Sequence, residues 1–187
     1  NIAETSCSII SAAQKAGIGL THLPVYYMQG GLNGKKLTEG QLRFGSDLEQ
    51  FLRILDQTQA SLRDAPEDQL LGMAPHSLRA VSQEALEKIV ESRSSGPVHI
   101  HIAEQLKEVE EIQTHFGARP VEWLLENVAV DSRWCLIHAT HMTQEETQNL
   151  AKSGAVVGLC PITEANLGDG VFDGSGLFLS GGKYGIG

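Results

Sequence analysis

The chain has 187 residues, 41% hydrophobic and 20% charged, which supports a globular domain with a substantial core and excludes a disordered or fibrous chain. A formal net charge of −9, with Lys35 and Lys36 as the only adjacent basic pair, excludes the clustered positive surface that a nucleic-acid partner needs. Three scattered cysteines, Cys7, Cys135 and Cys160, cannot build a disulfide framework or a Cys-x-x-Cys metal clip, so a reducing cytoplasm is expected.

In chain order, residues 1–17 read as an amphipathic helix and not as a secretory leader. No apolar run approaches the roughly 18 residues that span a bilayer, so no membrane partner is expected. A strand is predicted over residues 18–28, a helix over 48–64, and a second strand over 70–74. A helix over 82–93 follows, with Ser82 as its cap. The third strand is predicted over 98–103 and leads to helices over 109–116 and 121–127. The fourth, over 134–139, is followed by a helix over 144–153 that Thr143 opens, with Glu145 and Glu146 in the first turn, where carboxylates suit the positive end of the helix dipole. A fifth strand over 155–159 runs into a Gly- and Pro-punctuated loop at 158–170, and the chain stops in what reads as an incoming strand at Lys183. Trp123, Trp134, Phe44 and Phe51 are expected in the core, and Tyr26 or Tyr27 at a strand end facing a pocket. Both termini look like cuts through a larger domain. Five β-type segments alternating with helices, without a hairpin signal, predict repeated βα units and parallel strands, in a sheet that periodicity leaves either open or closed.

Polar residues gather at the C-terminal ends of these strands, the edge where α/β proteins build their sites. In Pro97-Val-His-Ile-His-Ile-Ala-Glu-Gln105, alternation puts His99 and His101 on one face and Val98, Ile100 and Ile102 on the other. With both faces suited to burial, two imidazoles need hydrogen bonds or a metal. Glu104 falls where it can reach back over the strand end, or simply opens a helix. Trp134-Cys-Leu-Ile-His-Ala-Thr-His-Met142 presents His138 and His141 at the same edge, either as packed residues or as nitrogen ligands for an ion such as zinc. Ala74-Pro-His-Ser-Leu-Arg79 is a turn whose Arg79 is either salt-bridged on the surface or a fork for a carboxylate. Thr163, Glu164 and Asn166 add polar groups after the fifth strand, where Cys160 reads as packing. The Gly-rich stretch lacks the Gly-Lys-Ser/Thr ending of a phosphate loop.

Taken together, HIHIAEQ, CLIHATHMT and GLCPITEANLGDG resemble the amidohydrolase superfamily, and APHSLR with TEANLGDG resembles its formimidoylglutamate deiminase family over essentially the whole chain. The resemblance implies an α/β fold, part of a (β/α)₈ TIM-like barrel truncated at both ends, covering barrel strands three to seven and the start of eight. The His-x-His pair of strand one, the Asp of strand eight and a small β domain would lie outside residues 1–187. It further implies one zinc ion with His101 as a ligand, Glu104 as proton-shuttling acid/base, His138 as the catalytic histidine that polarises water and intermediate, and His76 with Arg79 as holders of the substrate's glutamate portion. The implied reaction is hydrolysis of N-formimino-L-glutamate, a small carboxylate-bearing substrate, to N-formyl-L-glutamate and ammonia in histidine breakdown. A homodimer is compatible with the full-length enzyme. The resemblance gives His99 and His141 no role.

Overall fold

The computed structural model describes residues 2–187, and Asn1 lies outside the described residues. The chain divides into two compact units, residues 1–98 and 99–187.

In the first unit the expected N-terminal helix is α1 (Glu4–Ala16), which buries Ile10 and Ala13 and ends on Gly17 in the left-handed conformation. The single strand predicted over 18–28 is instead two, β1 (Leu20–His22) and β2 (Val25–Tyr26). The break falls at Leu23-Pro24, since proline has no N–H to give to a ladder. After the short α2 (Glu39–Leu42) and α3 (Leu48–Ser61), the partner strand is likewise divided into β3 (Gln69–Leu71) and β4 (Ala74–Pro75). The two breaks match: a Cβ on Gly72 would stand 2.5 Å from the Leu23 side chain and 2.5 Å from the Pro97 carbonyl. β1 pairs with β3 and β2 with β4, both parallel, with His22 opposite Leu71 and Val25 opposite Ala74. α3 starts on Asp47, whose carboxylate accepts from the Gln50 amide at 2.7 Å. α4 (Gln83–Glu91) starts on the expected Ser82, which accepts from the Ala85 amide.

The core of this unit comprises Ile10, Tyr26, Phe51, Leu55, Met73, Leu86 and Ile89, all buried. Tyr26 packs on the Phe51 ring at 5.1 Å and is fully buried; burial, then the charge of Asp47, pushes its phenol up. Phe44 departs from its expected core position: it is 56% exposed, with the Arg43 guanidinium 4.5 Å over its ring. An apolar residue in the loop before Asp47 has no periodicity to bury it.

The second unit holds β5 (Val98–Ile102, entered at its second residue), α5 (Leu106–Phe116), α6 (Pro120–Asn127), β6 (Trp134–His138), α7 (Gln144–Ser153), β7 (Val156–Leu159), α8 (Pro161–Leu167), α9 (Gly174–Leu179) and β8 (Lys183–Ile186). The strands lie in sequence order, β5-β6-β7-β8, with β6/β7 and β7/β8 parallel. Strands adjacent in space and joined through helices are successive βα units, as the alternation predicted. Ile100, Ile102, Ile112, Val121, Leu124, Trp134, Leu136, Leu150 and Val157 are buried between strands and helices. α7 carries a full capping box: Thr143 Oγ1 accepts from the Glu146 amide while Glu146 accepts from the Thr143 amide at 2.7 Å. The stretch expected as a loop, 158–170, contains α8, with Pro161 in its first turn and Gly168 closing it at φ 69°. Pro just inside the start and Gly just past the end delimit a helix as well as they punctuate a loop.

Candidate active site

The alternation predicted for β5 is present, but the histidine face is the open one: Val98, Ile100 and Ile102 are buried, His99 is half-buried and His101 exposed. The burial expected for both imidazoles is thus met in part by His99 and not by His101. Burial, and then the charge of His101, pushes His99 below its ordinary value.

β5 ends in a kink. Ala103 has φ 51°, outside the range a residue with a side chain prefers, and the Ala103 and Glu104 amides donate to the two carboxylate oxygens of Glu108 at 3.1 and 3.0 Å. Glu108 is only 1% exposed, so its charge is held by these amides and aims the chain that carries Glu104. Glu108→Ala leaves two amides without this acceptor. We expect a loss of at least about 2 kcal/mol in urea unfolding of the intact protein, since each unsatisfied buried donor costs about 1–3 kcal/mol; a change below about 0.5 kcal/mol would show that the kink holds itself.

β6 ends in a second kink: His138 has φ 72° and Ala139 φ 49°. Two successive non-glycine residues in this region cost on the order of 1–3 kcal/mol each and persist only where surroundings hold them. The Ala139 amide donates to the Ile102 carbonyl and the His141 amide to the Ala103 carbonyl, each at 3.0 Å, which locks the two strand ends together.

These kinks bring His101, Glu104 and His138 together. The His101 and His138 rings stack with centroids 5.6 Å apart, and His138 Nε2 lies 3.3 Å from Glu104 Oε1. On the other side of the His138 ring, Nδ1 lies 3.0 Å from Oε1 of Glu164, in α8, and that oxygen also accepts from the Cys160 amide at 2.8 Å. Glu164 stood among the polar groups noted after β7, but nothing in the sequence links it to a histidine 26 residues earlier.

His141 is occupied structurally. Its Nε2 donates to the Asp169 carbonyl at 2.6 Å and its own carbonyl accepts from the Arg119 guanidinium, while Arg119 Nε pairs with the buried Glu146 at 2.9 Å. Asp169 accepts from Gln105 Nε2 at 2.9 Å, tying the 168–170 turn to the residue after Glu104. In the first unit His76 and Arg79 follow β4. The His76 amide donates to the Tyr26 carbonyl, its Nδ1 is 3.1 Å from Ser77 Oγ, and the edge of its ring meets Tyr27 at 4.7 Å. The Arg79 carbonyl accepts from Gln29, and the Met28 and Gln29 amides both donate to the Ala80 carbonyl, so this turn is pinned to residues 26–29.

His138, Cys160 and Glu164 present ligand atoms within 4.8 Å of one another, a spacing that a metal could bridge. The donor chemistry argues against it there. Glu164 Oε1 already serves Nδ1 and the Cys160 amide, and burial plus the carboxylates of Glu164 and Glu104 push the Cys160 thiol up. Burial likewise holds Cys135 up at about 11. On the open face the exposed His101 offers an imidazole nitrogen of the kind an ion takes, with the His138 ring stacked at 5.6 Å and Glu104 beside it.

Residues 28–187 match the amidohydrolase family. Formimidoylglutamate deiminase of Pseudomonas aeruginosa is 50% identical over 99% of this chain, which spans about 41% of that protein's length. The crystal structure of an amidohydrolase from Brucella melitensis has a TM-score of 0.95 at 51% identity, covering 99% of this chain and 41% of the other. An adenosine deaminase from Xanthomonas campestris, solved with bound zinc, has a TM-score of 0.79 at 20% identity over 95% of this chain and 38% of its own; at that identity the likeness is one of fold. The α/β architecture, with parallel strands and helical crossovers, is thus that of the amidohydrolase barrel.

Proposed function

The chain belongs to the amidohydrolase family, a family of metal-dependent hydrolases, and from that premise we propose that the intact protein hydrolyses N-formimino-L-glutamate to N-formyl-L-glutamate and ammonia, as a deiminase of histidine breakdown. The observation that carries this reading is the 50% identity to the Pseudomonas deiminase, sustained over 99% of the chain.

His101 would be one ligand of a zinc ion, which when bound supplies a Lewis acid that brings the pKa of water to roughly 7. Glu104 takes the proton of the attacking water on its carboxylate as the water oxygen bonds to the formimino carbon. The same carboxylate then delivers that proton to the formimino nitrogen, leaving a tetrahedral carbon that bears OH and NH2; the hydroxyl proton follows to the same nitrogen, the carbonyl forms as the C–N bond breaks, and ammonia leaves. His138, placed 3.3 Å from Glu104 through Nε2, steadies the charge that builds on the tetrahedral carbon's oxygen. His76 and Arg79 hold the glutamate carboxylates, so that binding away from the reacting carbon lowers the barrier at it. Three free cysteines suit a cytoplasmic setting, and among the described residues no helix is long and apolar enough to cross a membrane.

The test is ammonia release from N-formimino-L-glutamate by the intact protein, before and after chelation. Activity that disappears with the metal and returns with zinc supports the reading; absence of release from the zinc-loaded protein overturns it.

A further inference from the structure

We propose that Glu164 is a positioning residue for His138, fixing the orientation of its imidazole so that Nε2 addresses Glu104. The inference rests on the function proposed above for its kinetic consequence, but not for its geometry.

A carboxylate oxygen only accepts hydrogen bonds, so at 3.0 Å from Glu164 Oε1 the His138 Nδ1 donates to it. Nε2 thereby points to the other side of the ring, where Glu104 Oε1 stands at 3.3 Å. Glu164 cannot swing away from this task. Its amide donates to the Cys160 carbonyl at 3.0 Å, the Cys160 amide donates back to Oε1 at 2.8 Å, and the residue is 8% exposed in the first turn of α8. The end of β7 is thereby used to orient a side chain at the end of β6. The geometry has a further consequence. His138 sits at φ 72°, so its ring direction depends on a strained backbone, and a second anchor on Nδ1 removes the rotation that strain alone would permit. Outer carboxylate partners of a working imidazole are worth about 10- to 100-fold when removed.

The experiment uses the intact, zinc-loaded enzyme with ¹⁵N-labelled histidine, the His138 signals being assigned through the His138→Asn variant. The wild type is expected to show a hydrogen-bonded proton on Nδ1; Glu164→Leu loses it, and Glu164→Gln, isosteric and still an acceptor for the Cys160 amide, keeps part of it. On substrate, kcat falls about tenfold in Glu164→Gln and about a hundredfold in Glu164→Leu, with KM within about twofold and zinc content unchanged. Neither substitution adds to the loss in the His138→Asn background, as expected of a residue acting only through His138. A wild-type His138 with no proton on Nδ1, a Gln variant that loses zinc, or full additivity with His138→Asn would each overturn the proposal. The nitrogen spectra need no substrate, so a wrong substrate assignment and a wrong role for Glu164 give different results.

Discussion

Replacing Glu104 by Gln in the intact enzyme should leave zinc content and melting temperature unchanged and lower kcat about a thousandfold, within the 10²- to 10⁴-fold usually contributed by a positioned general acid/base. The amide has the carboxylate's shape but cannot take the water proton or deliver it to the leaving nitrogen. The surroundings are set to tolerate the change, because the backbone at residue 104 is fixed from outside the side chain: its amide is held by Glu108, and the preceding kink at Ala103 by the same carboxylate. A structural effect would appear as lost stability or lost zinc. Near-normal turnover in the Gln variant would remove Glu104 from the proton path and leave its 3.3 Å approach to His138 Nε2 as packing.

Arg79→Met should act on the other kinetic constant. A hydrogen bond to a charged group is worth about 1.5–3 kcal/mol. At about 1.4 kcal/mol per factor of ten, loss of a guanidinium–carboxylate contact should raise KM for formiminoglutamate roughly tenfold to a hundredfold, with kcat within a few fold and zinc unchanged. Methionine keeps most of the length without the charge or the fork. The turn itself should survive, since its backbone is held through the Arg79 and Ala80 carbonyls and not through the guanidinium. On formamidine, which has the reacting group but no carboxylate, variant and wild type should behave alike. Lost zinc with unchanged KM would contradict the role.

Much of the fold was legible because it follows from short-range rules. The period-two pattern of residues 98–102 separates the imidazoles from the isoleucines, and caps at Ser82 and Thr143 mark where helices begin. Other features depend on contacts that periodicity does not encode. The first expected strand breaks at Pro24, and its partner at Gly72, because two backbones and Leu23 crowd one point. α8 was hidden in a Gly- and Pro-rich stretch whose Pro161 and Gly168 are equally the start and stop of a helix. His141 stands as prominently in the sequence as His138, yet its ring and carbonyl are committed to Asp169 and Arg119. Glu164 shows the limit most plainly: its partner is 26 residues away on another strand end, and only the β6–β7 pairing brings the two within reach.

The central claim is that the strand-end groups of this chain serve an imine carbon on a glutamate frame. The most direct measurement is ammonia release by the intact, zinc-loaded protein from N-formimino-L-glutamate and, side by side, from a purine nucleoside such as adenosine. The account predicts rapid stoichiometric ammonia with N-formyl-L-glutamate as co-product from the first, and none above background from the second. Turnover of the purine with formiminoglutamate untouched would contradict it.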